Sequence, residues 1–247
     1  MSENNNIKIF DIIIDNFDYE DIIKLINLSI INSTQILISY ATAHSLNLAV
    51  KNHDLIKIFN EFDYVHADGV GVFIASRIVH GKNGLEKKIT GSDFYPLLIN
   101  EGIKYNWTFF LFGDTDETLE KAICRNKNLM IRGVQSGYYY NEIKLIEKVN
   151  VSCSDILIVG LGCPKQEKWI VENKDRLSVK VIIAVGDGIK VFAGIKKRGN
   201  RFFQTLGLEW VIRLINNPFL FWKRYLVGIP LFLFRVIRSK YSNDKIV

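Results

Sequence analysis

Cysteine is scarce in this chain, and its three copies, Cys124, Cys153 and Cys163, are odd in number and stand in no CxxC spacing. That excludes a disulfide framework, leaves a zinc site without its usual ligands, and makes a reducing cytoplasm the expected compartment. Only four prolines punctuate 247 residues, and three of them, Pro164, Pro218 and Pro230, stand where a helix can begin. The four histidines, His44, His53, His66 and His80, match no HExxH or comparable ligand spacing. The start, MSENNNIKIFDIIID, lacks the basic stretch and apolar run of a signal peptide. A spanning helix needs about 20 predominantly apolar residues. In FLFWKRYLVGIPLFLFRVIRSK, residues 219–240, the longest uncharged run has ten, Tyr225 to Phe234, and contains Pro230. Crossing a membrane is therefore not expected.

What the chain does have is apolar bulk and unevenly placed charge. Hydrophobic residues make up 48%, enough to bury a full core in one or two domains. The net charge of +6 hides an asymmetry: residues 190–240 hold eleven Lys or Arg against one acid, Glu209, while residues 1–189 are mildly acidic. A basic end on an acidic body calls for a localised anionic partner: lipid headgroups, nucleic acid or a phosphorylated substrate.

Short apolar runs alternate with amphipathic ones, as a parallel α/β sheet with crossover helices requires. Strands are expected near IKIFDII, QILISYA, YVHA, WTFFLFG, LMIRGV, DILIVGLG and VKVIIAVG. Helices are expected between them, for example at HSLNLAVKN, GVFIASRIVHG, DFYPLLINEGIKY, DETLEKAICRNK, NEIKLIEKVN and PKQEKWIVENKDRL. The alternation stops near residue 195, which predicts a catalytic body over residues 1–194 and a helical, basic appendage over 195–247. Ligands of such sheets bind beyond the carboxyl ends of the strands.

Four places there carry candidate chemistry. In HADGVGV, residues 66–72, a strand ends in Asp68, either a proton acceptor or a helix cap; the loop also resembles the glycine loop of methyltransferases, without its third glycine. In VGLGCPKQEKWI, residues 159–170, Gly160 and Gly162 precede a helix whose first amides can meet a phosphate or sugar hydroxyl, with Gln166 one turn in. The D-x-D pair Asp114 and Asp116 is the pattern that holds a divalent cation on a nucleotide diphosphate, but both acids precede an amphipathic helix and capping is the preferred reading. The basic run GIKKRGNRFFQ, residues 194–204, is either a solvated loop or a phosphate clamp.

Taken in order, ATAHSLNLA, HADGVGV, KITGSDF, FLFGD, GYY, VGLGCPKQEKWI, GDGIKVFAGIKKRG and GLEWVIRLINNPFLFWKRYL closely resemble the WecG/TagA/CpsF family of glycosyltransferases, from about residue 7 to 235. With the alternation of elements, the expected fold is α/β: a Rossmann-like, mostly parallel sheet flanked by helices, with a helical basic C-terminal appendage. The resemblance implies inverting, metal-independent transfer of N-acetylmannosamine or a relative from a uridine diphosphate (UDP) sugar to a polyprenyl diphosphate-linked sugar, in teichoic acid, capsule or exopolysaccharide synthesis. It implies Asp68 as the base, Gln166, Gly160, Gly162 and Tyr138 at the substrates, and Arg213, Lys223 and Arg224 as cations brought by the appendage. No cofactor is implied. The partners are an anionic membrane surface on the cytoplasmic side and no nucleic acid, and a homo-oligomer is left open. The chain departs from the family pattern at two places: Tyr40 and Thr42 stand where it often reads T-x-N, and Lys88 where Arg is common, so a bidentate fork becomes a point charge. A peripheral membrane adaptor that binds a nucleotide without turnover, and a methyltransferase, are the competing readings.

Overall fold

A computed structural model describes residues 6–196 and 209–243. In chain order the elements are β1 (Ile7–Ile9), β2 (Ile12–Ile14), α1 (Tyr19–Asn32), β3 (Ile36–Ala41), α2 (Ala43–Lys51), α3 (His53–Asn60), β4 (Tyr64–Ala67), α4 (Val70–His80) and α5 (Gly91–Lys104). They continue with β5 (Thr108–Gly113), α6 (Asp116–Arg125), β6 (Met130–Gln135), α7 (Glu142–Val151), β7 (Ile156–Gly160), α8 (Lys165–Asn173), β8 (Val181–Ala184) and the short α9 (Ile189–Phe192).

Six strands form one parallel sheet in the order β4-β3-β8-β7-β5-β6. Successive side chains of a strand face opposite ways, and TFFLFG shows the result: Phe110 and Phe112 join the core on one face, Phe109 and Leu111 the core on the other. All four are fully buried, each contributing about 1.5–3 kcal/mol of burial. The expected α/β sheet flanked by helices is thus present. One strand differs. IKIFDII folds as the separate β1-β2 hairpin, because Phe10 and Asp11 both take positive φ (52° and 63°), the conformation of a tight two-residue turn.

The C-terminal helices are α10 (Glu209–Asn216), α11 (Pro218–Trp222) and α12 (Gly228–Asn243), with a π-helical turn (Lys223–Val227) joining the last two. Pro230 does not break this run. It has no N–H to give and its ring crowds the preceding turn, and the wider π turn takes up the mismatch. Helix α12 packs across α2 and α4. Its Phe232 and Val236 are fully buried in the main core, with Phe232 edge-on to Phe10 at 6.0 Å. The last helix is therefore bound into the body by its own core residues. Asn47 on α2 fastens it further, donating to the Gly228 carbonyl at 2.7 Å and accepting from the Arg235 guanidinium at 2.8 Å. Most of the run 194–204 lies outside the described residues.

Candidate active site

Strand register brings the candidate residues together. Ala41 pairs with Ala67, Val159 with Ala184, and Gly113 with Gly160, so the turns that carry Thr42, Asp68, Gly186, Gly162 and Asp114 leave the same edge of the sheet. This is the carboxyl edge, where open α/β sheets bind ligands.

Asp68 follows the last residue of β4, and its backbone still pairs with the sheet through the Ala41 carbonyl at 2.8 Å. Gly69 takes φ 90°, which L residues rarely adopt, and this swings the chain from the strand into α4. The carboxylate does not cap α4. It accepts instead from the Gly91 amide, the first residue of α5, at 2.9 Å, while Gly69 donates to Ile89 at 3.0 Å. Segment 84–90, with half-buried Lys88, is thus tied to the turn that carries Asp68. Beneath Asp68 lies buried His66, its ring near Tyr40 and Phe94 (6.1 and 5.9 Å between centroids). Burial holds the imidazole below its usual range, against the opposing pull of the Asp68 charge.

Thr42 and Gln166 are spoken for by the protein itself. Thr42 caps α2, accepting from the Ser45 amide at 3.0 Å in a capping box. Gln166 is fully buried. Its Oε1 accepts from Gly162 at 3.2 Å and Gly186 at 2.8 Å, and its Nε2 donates to Glu167 at 2.8 Å and toward the Tyr40 hydroxyl at 3.5 Å. It clips the turn after β7 to the turn after β8. Gly162 needs its lack of side chain there, with φ 78°. The Tyr40 phenol is pushed above its usual range, chiefly by burial, with the Asp68 charge acting the same way.

The D-x-D acids part company. Asp116 opens α6 behind its cap Thr115, whereas Asp114 accepts from the Thr115 amide at 2.8 Å and faces Lys190 at 3.7 Å. Lys190 also meets Asp187 at 3.3 Å and lies close to exposed Tyr138. Among the described residues no three His, Cys, Asp or Glu side chains gather as a metal-holding group. Helix α10 is described but the Arg213 side chain is not. The two neighbouring cations of the π turn diverge. Lys223 is exposed against the Trp222 ring at 5.5 Å. Half-buried Arg224 lies close enough to His44 and Cys163 that its charge helps depress the histidine, after burial, and pulls against the upward push of burial on the thiol.

A family model described as glycosyl transferase WecG/TagA/CpsF family matches residues 7–246. The chain belongs to the WecG/TagA/CpsF family. It is a glycosyltransferase, which sets aside the methyltransferase and non-enzymatic adaptor readings. Similar proteins include the N-acetylglucosaminyldiphosphoundecaprenol N-acetyl-beta-D-mannosaminyltransferases of Staphylococcus aureus strains MRSA252, MW2 and NCTC 8325. They are 29%, 28% and 28% identical over 225 residues, which cover 89% of this chain and 83% of each relative.

Three features of this WecG/TagA/CpsF chain escape the sequence reading. Lys190, bridging Asp114 and Asp187, sits inside the quoted GDGIKVFAG motif, and that motif is the signal that points to it. Asn47 and Arg235, which seat α12, lie 188 residues apart and leave no local signal. Glu167, beside Gln166, is fully buried.

Proposed function

We propose that this glycosyltransferase moves an N-acetylhexosamine-type sugar, N-acetylmannosamine or a relative, from a UDP-sugar to a polyprenyl diphosphate-linked sugar, with inversion and without a metal. The relatives' names support the sugar and lipid classes. The observation that carries the reading is Asp68 at the carboxyl edge of the sheet, its carboxylate held by Gly91, with Arg224 of the C-terminal helices near the facing turns.

In the reaction an acceptor hydroxyl attacks the anomeric carbon opposite the departing diphosphate. Its proton passes to Asp68 late in the step, as the bond to the sugar forms and the hydroxyl oxygen gives up electron density. General base help of this kind is worth about a hundredfold to ten-thousandfold. The departing diphosphate is met by Arg224, with Lys88 and the amides at the start of α8. Arg213 and Lys223 are further cations of the same appendage.

The lipid-linked acceptor places the reaction at a membrane surface, the cytoplasmic one in this reading. Phe219 is 95% exposed and Phe234 62%, with Trp222 and Leu226 also outward and Lys223, Arg238 and Lys240 among them, the composition of an interfacial segment on anionic lipid. No helix among the described residues is long and apolar enough to cross a membrane. The test uses purified protein, a panel of UDP-sugars and a short-chain lipid diphosphate sugar. Product mass gives the sugar transferred, and magnetic resonance gives the anomeric configuration. Transfer with inversion, unaffected by chelator, is expected; retention, or no transfer from any UDP-sugar, refutes the reading.

A further inference from the structure

Glu167 is fully buried on the first turn of α8. A carboxyl taken out of water needs either a cation or a proton. Gln166, Ser39, Cys163 and its own backbone amide lie against it, and among the described residues no Lys or Arg forms a salt bridge with it. Its Oε1 takes the Gln166 Nε2 hydrogen at 2.8 Å and the Ser39 hydroxyl at 3.5 Å. Its Oε2 has no hydrogen-bond partner among the described residues. An ionised carboxylate in that position costs far more than a neutral hydroxyl left unpaired. Burial accordingly pushes this acid above the usual carboxylate range.

The neighbouring amide makes the acid useful. A glutamine side chain fits its density of neighbours in two orientations, with oxygen and nitrogen exchanged. Reversed, Gln166 would point its NH2 at the Gly162 and Gly186 amides, donor against donor, and its oxygen at Glu167. The two glycine amides select the orientation in which Gln166 holds both turns, and an acceptor oxygen on Glu167 secures it by taking the Nε2 hydrogen; the carbonyl of a protonated acid can supply that acceptor.

We propose that Glu167 is a positioning residue that works as a neutral acid, orienting Gln166 and through it clasping the Gly162 and Gly186 turns at the donor edge of the site. The proposal rests on the UDP-sugar reading for its kinetic consequence, but not for its protonation state.

Two variants and one spectrum test it. Glu167→Gln keeps the acceptor and removes the ionisable group; Glu167→Leu removes the acceptor. Loosening a positioning contact by an ångström costs about a hundredfold, so Glu167→Leu should lose roughly that in kcat/KM, mostly through donor KM, while Glu167→Gln stays within about threefold of the parent. The infrared difference between parent and Glu167→Gln at neutral pH should show the carbonyl band of a protonated carboxyl. A folded Glu167→Gln as impaired as Glu167→Leu, or a carboxylate band in that difference, overturns the proposal. If Glu167→Leu does not fold, Glu167→Gln and the spectrum still decide. A parent that transfers no sugar refutes the functional reading, and the band then decides Glu167 by itself.

Discussion

The carboxyl edge of the sheet and the C-terminal helices are positioned by opposite means. At the sheet edge, backbone register does the placing: once Ala41 pairs with Ala67, Ile38 with Ile183 and Val159 with Ala184, the turns bearing Asp68 and Gly162 leave one edge with β3 and β8 between them. The C-terminal helices have no strand register. Side chains seat them, Phe232 and Val236 in the core and the Asn47–Arg235 contact on α2, and Arg224 arrives near His44 as a consequence. Groups on the edge should thus be removable without moving the scaffold, whereas groups under the helices should report on docking.

The largest expected effect breaks the chemistry and leaves the scaffold alone. Asp68→Asn still offers an oxygen to the Gly91 amide, so it should fold normally and lose about a hundredfold to ten-thousandfold in turnover. Near-parental rates in a transfer assay would remove Asp68 from the base role. Asn47→Ala tests the docking side. It takes the side-chain donor from the Gly228 carbonyl and leaves Arg235 only the backbone carbonyl of residue 47, and should cost about 1–3 kcal/mol in urea unfolding. A cost near zero would mean that the core residues alone seat the helix.

A smaller effect separates the outward face of the helices from the inward one. Phe219→Ser should weaken binding to anionic liposomes roughly tenfold, the value of withdrawing one aromatic side chain from an apolar environment, with no change in unfolding. Cutting the chain near residue 217 is a poorer test than the exposed segment suggests, because it also removes the buried Phe232 and Val236. The smallest effect is expected at Asp15, whose backbone bridges to His66 on β4. Asp15 is buried where β2 meets β4, accepts from Val65 at 2.7 Å, and is raised by burial to about 6. A raised carboxyl contributes stability that is full below its unfolded pKa and is lost as pH rises through about 6. Asp15→Asn should therefore gain on the order of 1 kcal/mol over the parent at pH 7.5 and nothing at pH 4, read by denaturant titration.

The sheet was legible because fully buried strands leave unmistakable apolar runs, TFFLFG above all, and the turns because Asp68, Gly160 and Gly162 sit where those runs end. The β1-β2 hairpin was not, since Phe10 and Asp11 lack the glycine or asparagine that usually marks such a turn. Gln166 was placed at the right turn, but its partners Tyr40 and Gly186 lie 126 and 20 residues away, so no local pattern tells a ligand contact from an internal clasp. Lys223 and Arg224 are adjacent in sequence and equal in charge. Adjacent residues on a helical turn point to different faces, which sends one against Trp222 and solvent and the other toward His44.

That divergence gives the most direct test of the claim that sheet edge and C-terminal helices make one site. Calorimetric titration of UDP into the parent, Arg224→Ala and Lys223→Ala should show binding weakened about tenfold or more by the first change and within about threefold of the parent for the second. Parental affinity in Arg224→Ala, or equal losses in both variants, would contradict it.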